Sequence, residues 1–405
     1  MQKNTPSLRF PEFKDEWEEK LLGRLLLIER GASPRPIKKY ITNSPDGVPW
    51  IKIGDVPKGS KYIEKTEEKI TREGAKLSRT VKIGDFVLSN SMSFGRPYIL
   101  KIDGSIHDGW LALRNKNNED LNDEFLYEIL GSNAVRQKFL SLAAGSAVKN
   151  LKSETVKSAK ITLPNIDEQK RISEFLSKVN NWLQNLEKQK EILEVYKKGM
   201  MQKIFSQEIR FKDGNGKEFP KWEEKRWGDM GDIVGGGTPD TIRPEYWNGD
   251  INWFTPTEIG AKYINISIRQ ITELGLKSSS TKLLPVGTLL LTSRATIGRV
   301  SIATKESTTN QGFQSIIVNK ENNNEFIYYL IINNINKFLR LANGSTFLEI
   351  SGKEVRKMRN HFPTLPEQQK IAEFLTPIDK IIESKQKKID LAENWKKGLM
   401  QRMFI

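Results

Sequence analysis

Four segments of this sequence combine basic side chains with hydroxyl and amide groups, a combination typical of surfaces that bind nucleic acid. Arginine can donate two hydrogen bonds to guanine, and glutamine or asparagine can pair with the edge of adenine. Lysine and serine side chains suit phosphate oxygens. Each segment taken alone could equally be a solvated turn. The candidate DNA-contacting residues are Arg35, Lys38 and Lys39 in the first segment, Ser91 and Arg96 in the second, Arg294 and Arg299 in the third, and Gln311 and Gln314 in the fourth.

The overall charge points the same way. The 405 residues include 65 Lys and Arg against 50 Asp and Glu, which gives a formal net charge of +15. A basic surplus favours a polyanionic partner, because each cation placed on a phosphate releases counterions. The surplus is spread along the chain and forms no basic tail, a pattern that favours a folded binding surface.

Motifs for catalysis are missing. The sequence has no Walker-type phosphate loop, no Gly-x-Ser-x-Gly elbow, and no Asn-Pro-Pro-aromatic or Asp-Pro-Pro-aromatic tetrapeptide of the kind that amino-methyltransferases use. It has no cysteine and only two histidines, His107 and His361, so a zinc site is not expected. We therefore expect no catalytic residue, metal or cofactor in this chain.

No stretch of about 18 apolar residues or signal-peptide core is visible, which predicts a cytoplasmic protein without a membrane partner.

The strongest sequence signal is an internal duplication. The pattern Glu-Gln-x-x-Ile-x-Glu-Phe-Leu occurs within residues 164–176 and again within 363–375, with equivalent residues 199 positions apart. The same offset relates Lys-Lys-Gly-x-Met-Gln-x-x-Phe at 197–205 to its copy at 396–404. The preceding segments match more loosely, for example Gly95-Arg96 with Gly298-Arg299. The duplication predicts one fold used twice, with different loops.

Two long helices should follow the two looser segments. Apolar residues recur at heptad spacing after residue 167, and such a seam needs a partner helix, which the second copy can supply. Gln189, Lys385 and Lys388 interrupt the pattern. The alternative is that each amphipathic helix packs on its own globular segment. The residues predicted for helix pairing or subunit docking are Ile172, Phe175, Val179, Trp182, Leu186, Phe374, Ile378, Ile381 and Trp395.

The predicted fold class is α+β. Apolar runs such as Val81–Leu88 and Thr288–Leu291 indicate strands, and segments 123–142 and 325–342 have helical spacing. The predicted domains are two mixed α/β domains at residues 1–162 and 208–361, each followed by a helical region, at 163–207 and 362–405.

These motifs resemble the DNA sequence-specificity subunit of type I restriction–modification systems. The segments at 164–176, 363–375, 197–205 and 396–404 are similar to that family's central and distal conserved regions, and the resemblance covers essentially the whole chain. It implies that the two globular segments are target recognition domains for the halves of a split DNA site. It also implies that the two helical regions pack antiparallel as a coiled coil and set the spacing between the half-sites, in a chain with internal pseudo-twofold symmetry.

The resemblance also implies partners. Two methyltransferase subunits would dock along the helices with S-adenosylmethionine and adenine-N6 chemistry, and two motor–nuclease subunits would bring ATP and magnesium. The chain itself would carry no catalytic residue and would bind double-stranded DNA.

Two other functions remain open from the residues alone. The chain could be a stand-alone enzyme that modifies or cleaves DNA, or a coiled-coil scaffold with no role at DNA.

Overall fold

The structure is a computed structural model that describes residues 5–56, 59–90, 95–116, 120–143, 151–342 and 348–405. The chain divides into two compact units. The first comprises Met1–Glu187 with Lys387–Ile405, and the second comprises Lys188–Gln386. Each unit therefore holds one globular domain, the first part of one long helix and the last part of the other.

The globular domain of the first unit contains two five-stranded sheets. We name one of them the central sheet; its spatial order is Leu26–Arg30, Trp110–Asn115, Phe86–Ser89, Pro97–Leu100 and Tyr62–Ile63. The last two of these strands are parallel to each other, and the other neighbouring pairs are antiparallel. The other sheet has the order Ile41–Thr42, Glu68–Ile70, Val48–Ile51, Gly104–Ile106 and Arg79–Val81.

The second unit repeats this topology with fewer strands. Its central sheet has the order Gly231–Gly235, Gln314–Val318, Leu289–Leu291, Val300–Ala303 and Tyr263–Ile264, and its other sheet has the order Arg269–Ile271, Trp247–Phe254 and Ser307–Thr309. The parallel pairs also recur. Tyr263–Ile264 runs parallel to Val300–Ala303, as Tyr62–Ile63 does to Pro97–Leu100. Trp247–Phe254 runs parallel to Ser307–Thr309, as Val48–Ile51 does to Gly104–Ile106. The predicted duplication is therefore confirmed at the level of strand order.

Side-chain alternation explains why the central sheet is buried on both faces. In the strand Phe86–Ser89, Phe86 and Leu88 enter the core shared with the helices, whereas Val87 enters the core between the two sheets. In the second unit, Leu289 and Leu291 face the helical core and the residue between them faces the other sheet. A strand buried on both faces must be apolar throughout, which is why these runs were visible in the sequence.

Short helices and a two-stranded ribbon complete each domain. The helices of the first unit are Leu22–Leu25, Arg72–Lys76, Asp123–Gly131, Asn133–Ala143 and Ser153–Ser158, and those of the second are Glu273–Lys277, Asn324–Asn333, Ile335–Leu341 and Gly352–Lys357. The 3₁₀ turns are Ile37–Lys39, Ile53–Asp55, Trp227–Asp229, Pro244–Tyr246 and Pro256–Glu258. The ribbons pair Glu18–Leu21 with Lys160–Leu163 and Glu223–Arg226 with Arg359–Phe362.

One sequence prediction is corrected in detail. The run Val81–Leu88 is not one strand, because the chain turns at Gly84, whose φ of 90° favours glycine, and the two pieces join different sheets. The segments with helical spacing at 123–142 and 325–342 are helical, and each forms two consecutive helices.

The two long helices span Ile166–Phe205 and Leu365–Met403. In the first unit Val179, Leu183 and Leu186 pack against Ile389 and Ala392 of the other helix. Ile172 and Leu176, near the start of one helix, share a core with Met403 at the end of the other, so the helices pair antiparallel within the unit.

The polar interruptions of the heptad pattern also meet. In the second unit Lys385 Nζ donates to Gln189 Oε1 at 2.6 Å, and Lys197 Nζ lies 2.5 Å from Asp379 Oδ1. In these two pairs a higher residue number on one helix meets a lower one on the other, so the helices are antiparallel in the second unit as well. Gln189 and Lys385, which broke the seam when each helix was considered alone, are complementary once the helices are paired.

A Glu-Gln dipeptide at the start of each long helix joins it to its domain. Glu168 is fully buried and accepts hydrogen bonds from Arg9 Nε and Nη2 at 2.7 and 2.6 Å. In the second unit Arg210 Nε and Nη2 donate to the equally buried Glu367 at 3.1 and 2.7 Å. Two parallel charge-assisted bonds fix both the position and the angle of the arginine.

The neighbouring glutamine makes the second half of the contact. Gln169 Oε1 accepts from the backbone N–H of Asn122 at 3.0 Å, and Asn122 caps the helix Asp123–Gly131. Gln368 Oε1 accepts from Asn323, the cap of the helix Asn324–Asn333, at 2.9 Å. We call the Glu-Gln dipeptide with its arginine and its backbone partner the helix-start clasp.

We predict that Arg210→Ala lowers the free energy of unfolding of the full chain by about 3 kcal/mol. This is the low end of the range for a broken buried ion pair, because the arginine side chain keeps 22% of its area exposed. Urea unfolding measures the loss. Arg359→Ala is the matched control: its 2.8 Å pair with Glu224 is about half exposed and should contribute at most about 1 kcal/mol. Equal losses in the two variants would show that the clasp does not hold the helix to the domain.

Candidate nucleic-acid interface

In the second domain, loops from distant parts of the sequence meet at one end of the central sheet. The backbone N–H of Ser293 donates to Gly312 O at 2.8 Å, and that of Ile350 donates to Ser293 O at 3.1 Å. The N–H of Gly237 donates to Thr309 O at 2.9 Å. The backbones approach so closely that a Cβ on residue 236 would lie 2.0 Å from Asn310 O, so glycine is required there.

Exposed polar side chains project from this group of loops. Arg294 Nη2 pairs with Glu349 Oε1 at 2.8 Å, and Thr238 Oγ1 donates to Gln311 Oε1 at 2.5 Å. Arg299 is exposed, with Nη1 3.5 Å from Ile259 O. Gln314 is the first residue of its strand and is half-buried, so it is the least accessible of the four predicted residues. We name Thr238, Arg294 and Gln311 the second loop cluster.

The first domain has an equivalent group of loops. Asn90 Nδ2 donates to Asp108 O at 2.7 Å, and its backbone N–H donates to Gly109 O at 3.0 Å. Ser33 Oγ donates to Asp108 Oδ1 at 2.8 Å, and Arg35 Nη2 lies 3.6 Å from Asp108 Oδ2. We name Ser33, Arg35 and Asp108 the first loop cluster.

The two clusters share a backbone framework but differ in side chains. The Ser33–Asp108 bond occupies the position of the Thr238–Gln311 bond. Likewise, His107 Nδ1 accepts from the N–H of Gly109 at 2.6 Å, and Asn310 Oδ1 accepts from the N–H of Gly312 at 2.9 Å. The framework is thus preserved, while an aspartate in one domain replaces a glutamine in the other.

The other predicted DNA-contacting residues of the first domain are less closely grouped. Lys38 and Lys39 are exposed in the 3₁₀ turn Ile37–Lys39. The guanidinium carbon of Arg96 lies 5.6 Å from the centre of the Tyr98 ring, and Arg96 lines a cavity with Glu128 of the helix Asp123–Gly131. Ser91 lies outside the described residues.

The residues predicted for helix pairing or docking fall into two groups. Ile172, Val179, Leu186 and Ile378 are buried, and Phe175 and Phe374 pack against the domain cores and against Phe10 and Phe211, with ring centres 5.7 and 5.6 Å apart. Trp182, Ile381 and Trp395 remain about half exposed, and the two tryptophan rings meet edge to face at 6.3 Å. The neighbouring Ile382, not Ile381, packs against the core of the second unit.

Sequence reasoning missed Arg9, Arg210 and Asp108. The two arginines had a signal, because Arg9-Phe10 and Arg210-Phe211 repeat the same dipeptide 201 positions apart. Asp108 had none, since an aspartate beside a histidine in a loop is ordinary until Ser33 and Arg35 are placed against it.

Among the residues that the structure describes, no group of three or more His, Asp or Glu side chains could hold a metal ion. Within the same ranges no helix is both long and apolar enough to span a membrane.

The fold thus defines a protein built from a duplicated α+β domain, with one polar loop cluster in each copy. The family of type I restriction modification DNA specificity domains matches the chain twice, at residues 14–195 and 220–394, and the chain belongs to this family.

Similar proteins share this assignment. The MjaIX specificity subunit of a type I restriction enzyme from Methanocaldococcus jannaschii is 41% identical over 207 residues, which are 50% of this chain and 48% of that protein, so the match spans about half of its length. The putative MjaX specificity subunit from the same organism is 27% identical over 98% of this chain and 95% of its own. The crystal structure of a type I S subunit from M. genitalium has the same fold, with a TM-score of 0.60, 16% identity and 99% of each chain covered.

His107 provides a test of the first loop cluster by pH. Burial lowers the pKa of His107 in the folded chain below its ordinary value of about 6.5, which applies to the unfolded chain. As the pH falls below about 6.5, the unfolded chain therefore binds more protons than the folded chain. Stability should therefore fall as the pH drops below about 6.5. His107→Asn introduces the side chain that the second domain uses, and it should reduce this loss. Thermal unfolding at about pH 7.5 and about pH 5 measures it, with His361→Asn on an exposed strand as control. An unchanged pH dependence in His107→Asn would assign the loss to other groups.

Proposed function

We propose that this chain is the non-catalytic DNA-binding specificity subunit of a type I restriction–modification complex. In this proposal the first and second loop clusters each contact one half of a bipartite double-stranded DNA site, and the paired long helices set the number of unspecified bases between the halves. The observation that carries the proposal is the equivalent position of the two clusters on one backbone framework with different side chains.

The side chains of the clusters suit different bases. Arg294 can donate two hydrogen bonds to guanine O6 and N7, and Gln311 can pair with adenine N6 and N7. In the first cluster Asp108 can accept from cytosine N4, and Arg35 is 82% exposed and free to reorient. Because exposed ion pairs contribute little, Arg35 and Arg294 can leave Asp108 and Glu349 for DNA at small energetic cost. Two such clusters would prefer two different half-sites.

Catalysis belongs to other subunits in this proposal. The sequence lacks the motifs for ATP and for adenine methylation, and the described residues contain no cluster for a metal ion. Two methyltransferase subunits would supply S-adenosylmethionine, and two motor–nuclease subunits would supply ATP and magnesium.

Exposed apolar residues on the long helices offer a docking surface in each unit. In the first unit Trp182, Leu391 and Trp395 are 49%, 70% and 49% exposed. In the second unit, residues 199 positions away from these fill the same helix positions and are similarly exposed: Ile381, Ile192 and Tyr196 at 47%, 57% and 49%. We call these the first and second helix patches. One patch per unit fits two copies of one partner.

We predict that Arg294→Ala relaxes recognition in one half-site only. The expected loss is about 1–3 kcal/mol of discrimination at one base, because one bidentate contact disappears. The chain is produced with its methyltransferase partner, and methylated adenines are mapped across the genome. Lys320→Ala is the charge-matched control. The strand Gln314–Val318 starts at the second loop cluster, and Lys320 is exposed just after its opposite end.

Equal weakening of both half-sites by Arg294→Ala would contradict the base-reading role of Arg294 and make it a phosphate contact. Two outcomes would contradict the proposed function itself. Modification or cleavage of DNA by the purified chain with S-adenosylmethionine or Mg²⁺ alone would make it an enzyme. If the same sites are still methylated in cells that lack the chain, the chain does not select them, and the alternative of a coiled-coil scaffold with no role at DNA would be favoured.

We predict that the double variant Trp182→Ala, Trp395→Ala loses one of two bound methyltransferase subunits, because only the first helix patch is removed. Native mass spectrometry of the purified complex counts the subunits, and circular dichroism confirms that the helices are intact. Tyr196→Ala with Ile381→Ala should have the same effect through the second patch. Retention of two methyltransferase subunits in both variants would place docking elsewhere.

A further inference from the structure

A lysine–tyrosine cluster lies between the globular domain and the long helices in each unit. In the first unit Lys61 forms an ion pair with Glu124, and its Nζ lies 4.5 Å from the centre of the Tyr127 ring. In the second unit Lys262 forms an ion pair with Glu325, and its Nζ lies 5.4 Å from the centre of the Tyr328 ring. All three pairs of equivalent residues are 201 positions apart, so the cluster was duplicated with the domain.

The residue after the tyrosine differs between the copies: it is Glu128 in the first domain and Tyr329 in the second. The long-helix residue that each one contacts differs as well. In the first unit Asn180 Nδ2 of the long helix donates to Oε1 of Glu128 on the domain at 3.0 Å. Glu128 is buried, with 4% of its area exposed. Here the helix donates the hydrogen bond and the domain accepts it.

In the second unit the direction of the bond is reversed. Tyr329 of the domain, which is fully buried, donates its hydroxyl proton to Asp379 Oδ2 of the long helix. Two lysines balance the carboxylate: Lys197 Nζ lies 2.5 Å from Oδ1, and Lys262 Nζ lies 3.5 Å from Oδ2. Asp379 occupies the position of Asn180, since these residues are 199 apart.

We propose that this reversed hydrogen bond matches each globular domain to its own position on the helices and excludes the first domain from the second position. If the first domain took the second position, the Glu128 carboxylate would face the Asp379 carboxylate. While both are ionised, neither carboxylate can donate to the other, so the hydrogen bond between domain and helix is lost and the two facing carboxylates repel each other. The matching depends only on the contact between domain and helix, whatever ligand the loop clusters bind.

The exclusion works in one direction. In the first position, the second domain would bring the Tyr329 hydroxyl to the Asn180 amide. An amide both donates and accepts, so this pairing can be satisfied. Exchange of the domains is therefore asymmetric: the second domain can occupy either position, whereas the first domain fits only its own.

The first unit has little capacity for a second carboxylate. Burial raises the pKa of Glu128 even though cations surround it, so the site already disfavours one negative charge. The charged groups that face Glu128 are Lys61 and Glu124 of its own domain, Lys396 of the second long helix, and Arg96 and Arg136 at the edge of the adjoining cavity.

A single substitution imitates the excluded arrangement in the full chain. Asn180→Asp should lower the thermal unfolding midpoint by about 5 °C or more at pH 8, since a second carboxylate then faces the buried Glu128. The difference should narrow at about pH 5, where one carboxyl takes up a proton and can donate. Asn181→Asp makes the same charge change at the adjacent exposed position and should have little effect.

Rescue separates the hydrogen bond from a general structural effect. Adding Glu128→Gln to Asn180→Asp restores a donor on the domain, reproduces the direction found in the second unit, and should recover most of the lost midpoint. If Asn180→Asp is as stable as Asn181→Asp, or if Glu128→Gln fails to rescue it, the proposal is overturned.

Domain exchange tests the direction. In one chain residues 18–163 replace residues 223–362, which puts Glu128 opposite Asp379; adding Asp379→Asn should raise the unfolding midpoint of that chain. In the reverse chain residues 223–362 replace residues 18–163, and Asn180→Asp, which supplies an acceptor for Tyr329, should not lower its midpoint. A chain with two first domains that gains nothing from Asp379→Asn would overturn the proposal.

Discussion

The bidentate ion pair at the start of each long helix is the contact on which the rest of the structure depends. Glu168 and Glu367 are fully buried, and a buried carboxylate is tolerable only when its oxygens are bonded to donors that cannot move away. Arg9 and Arg210 meet that requirement, and the adjacent glutamines bond the caps of the domain helices. Because the glutamate and the glutamine occupy one turn, the chain segment before the domain, the domain itself and the helix are fixed against each other at one point. This explains why the Glu-Gln pattern is the same in both copies.

The globular domains show how one framework can present different chemistry. The close backbone approach at Gly31 and at Gly236 sets the shape of each loop cluster, since a Cβ at either position would lie 2.0 Å from a carbonyl oxygen. Side chains beyond that approach are free to vary, because their neighbours are solvent and other loops. Ser33 with Asp108 in one domain, and Thr238 with Gln311 in the other, are two solutions on the same backbone. The proposed recognition of two different half-sites needs this separation of fixed framework from variable contacts.

The long helices combine likeness with difference. Their exposed apolar residues are alike in the two units, which suits the proposed docking of one copy of the same partner on each. Beneath the domains the helices differ, because Asn180 donates a hydrogen bond where Asp379 accepts one. A helix face that contacts solvent is constrained by whatever docks on it, whereas a buried polar position is constrained by the one domain that covers it.

The sequence by itself determined the duplication, the two long helices, the α+β class and the family, because each rests on local periodicity or on a repeated motif. It also located most loops of the candidate interface, since basic and amide residues in glycine-rich segments are visible without a structure. It failed where distant residues decide the outcome. The run Val81–Leu88 has a strand-like composition, yet its halves join different sheets because strand pairing is set elsewhere. Heptad spacing placed Trp182 and Trp395 at the contact between the helices, and their rings do meet there, but the spacing did not show that both would stay half exposed, because the number of buried positions depends on the partner helix. Only the tertiary structure joined Asp108 to Ser33 and Glu128 to Asn180, since hydrogen-bond partners far apart in sequence leave no mark on local pattern.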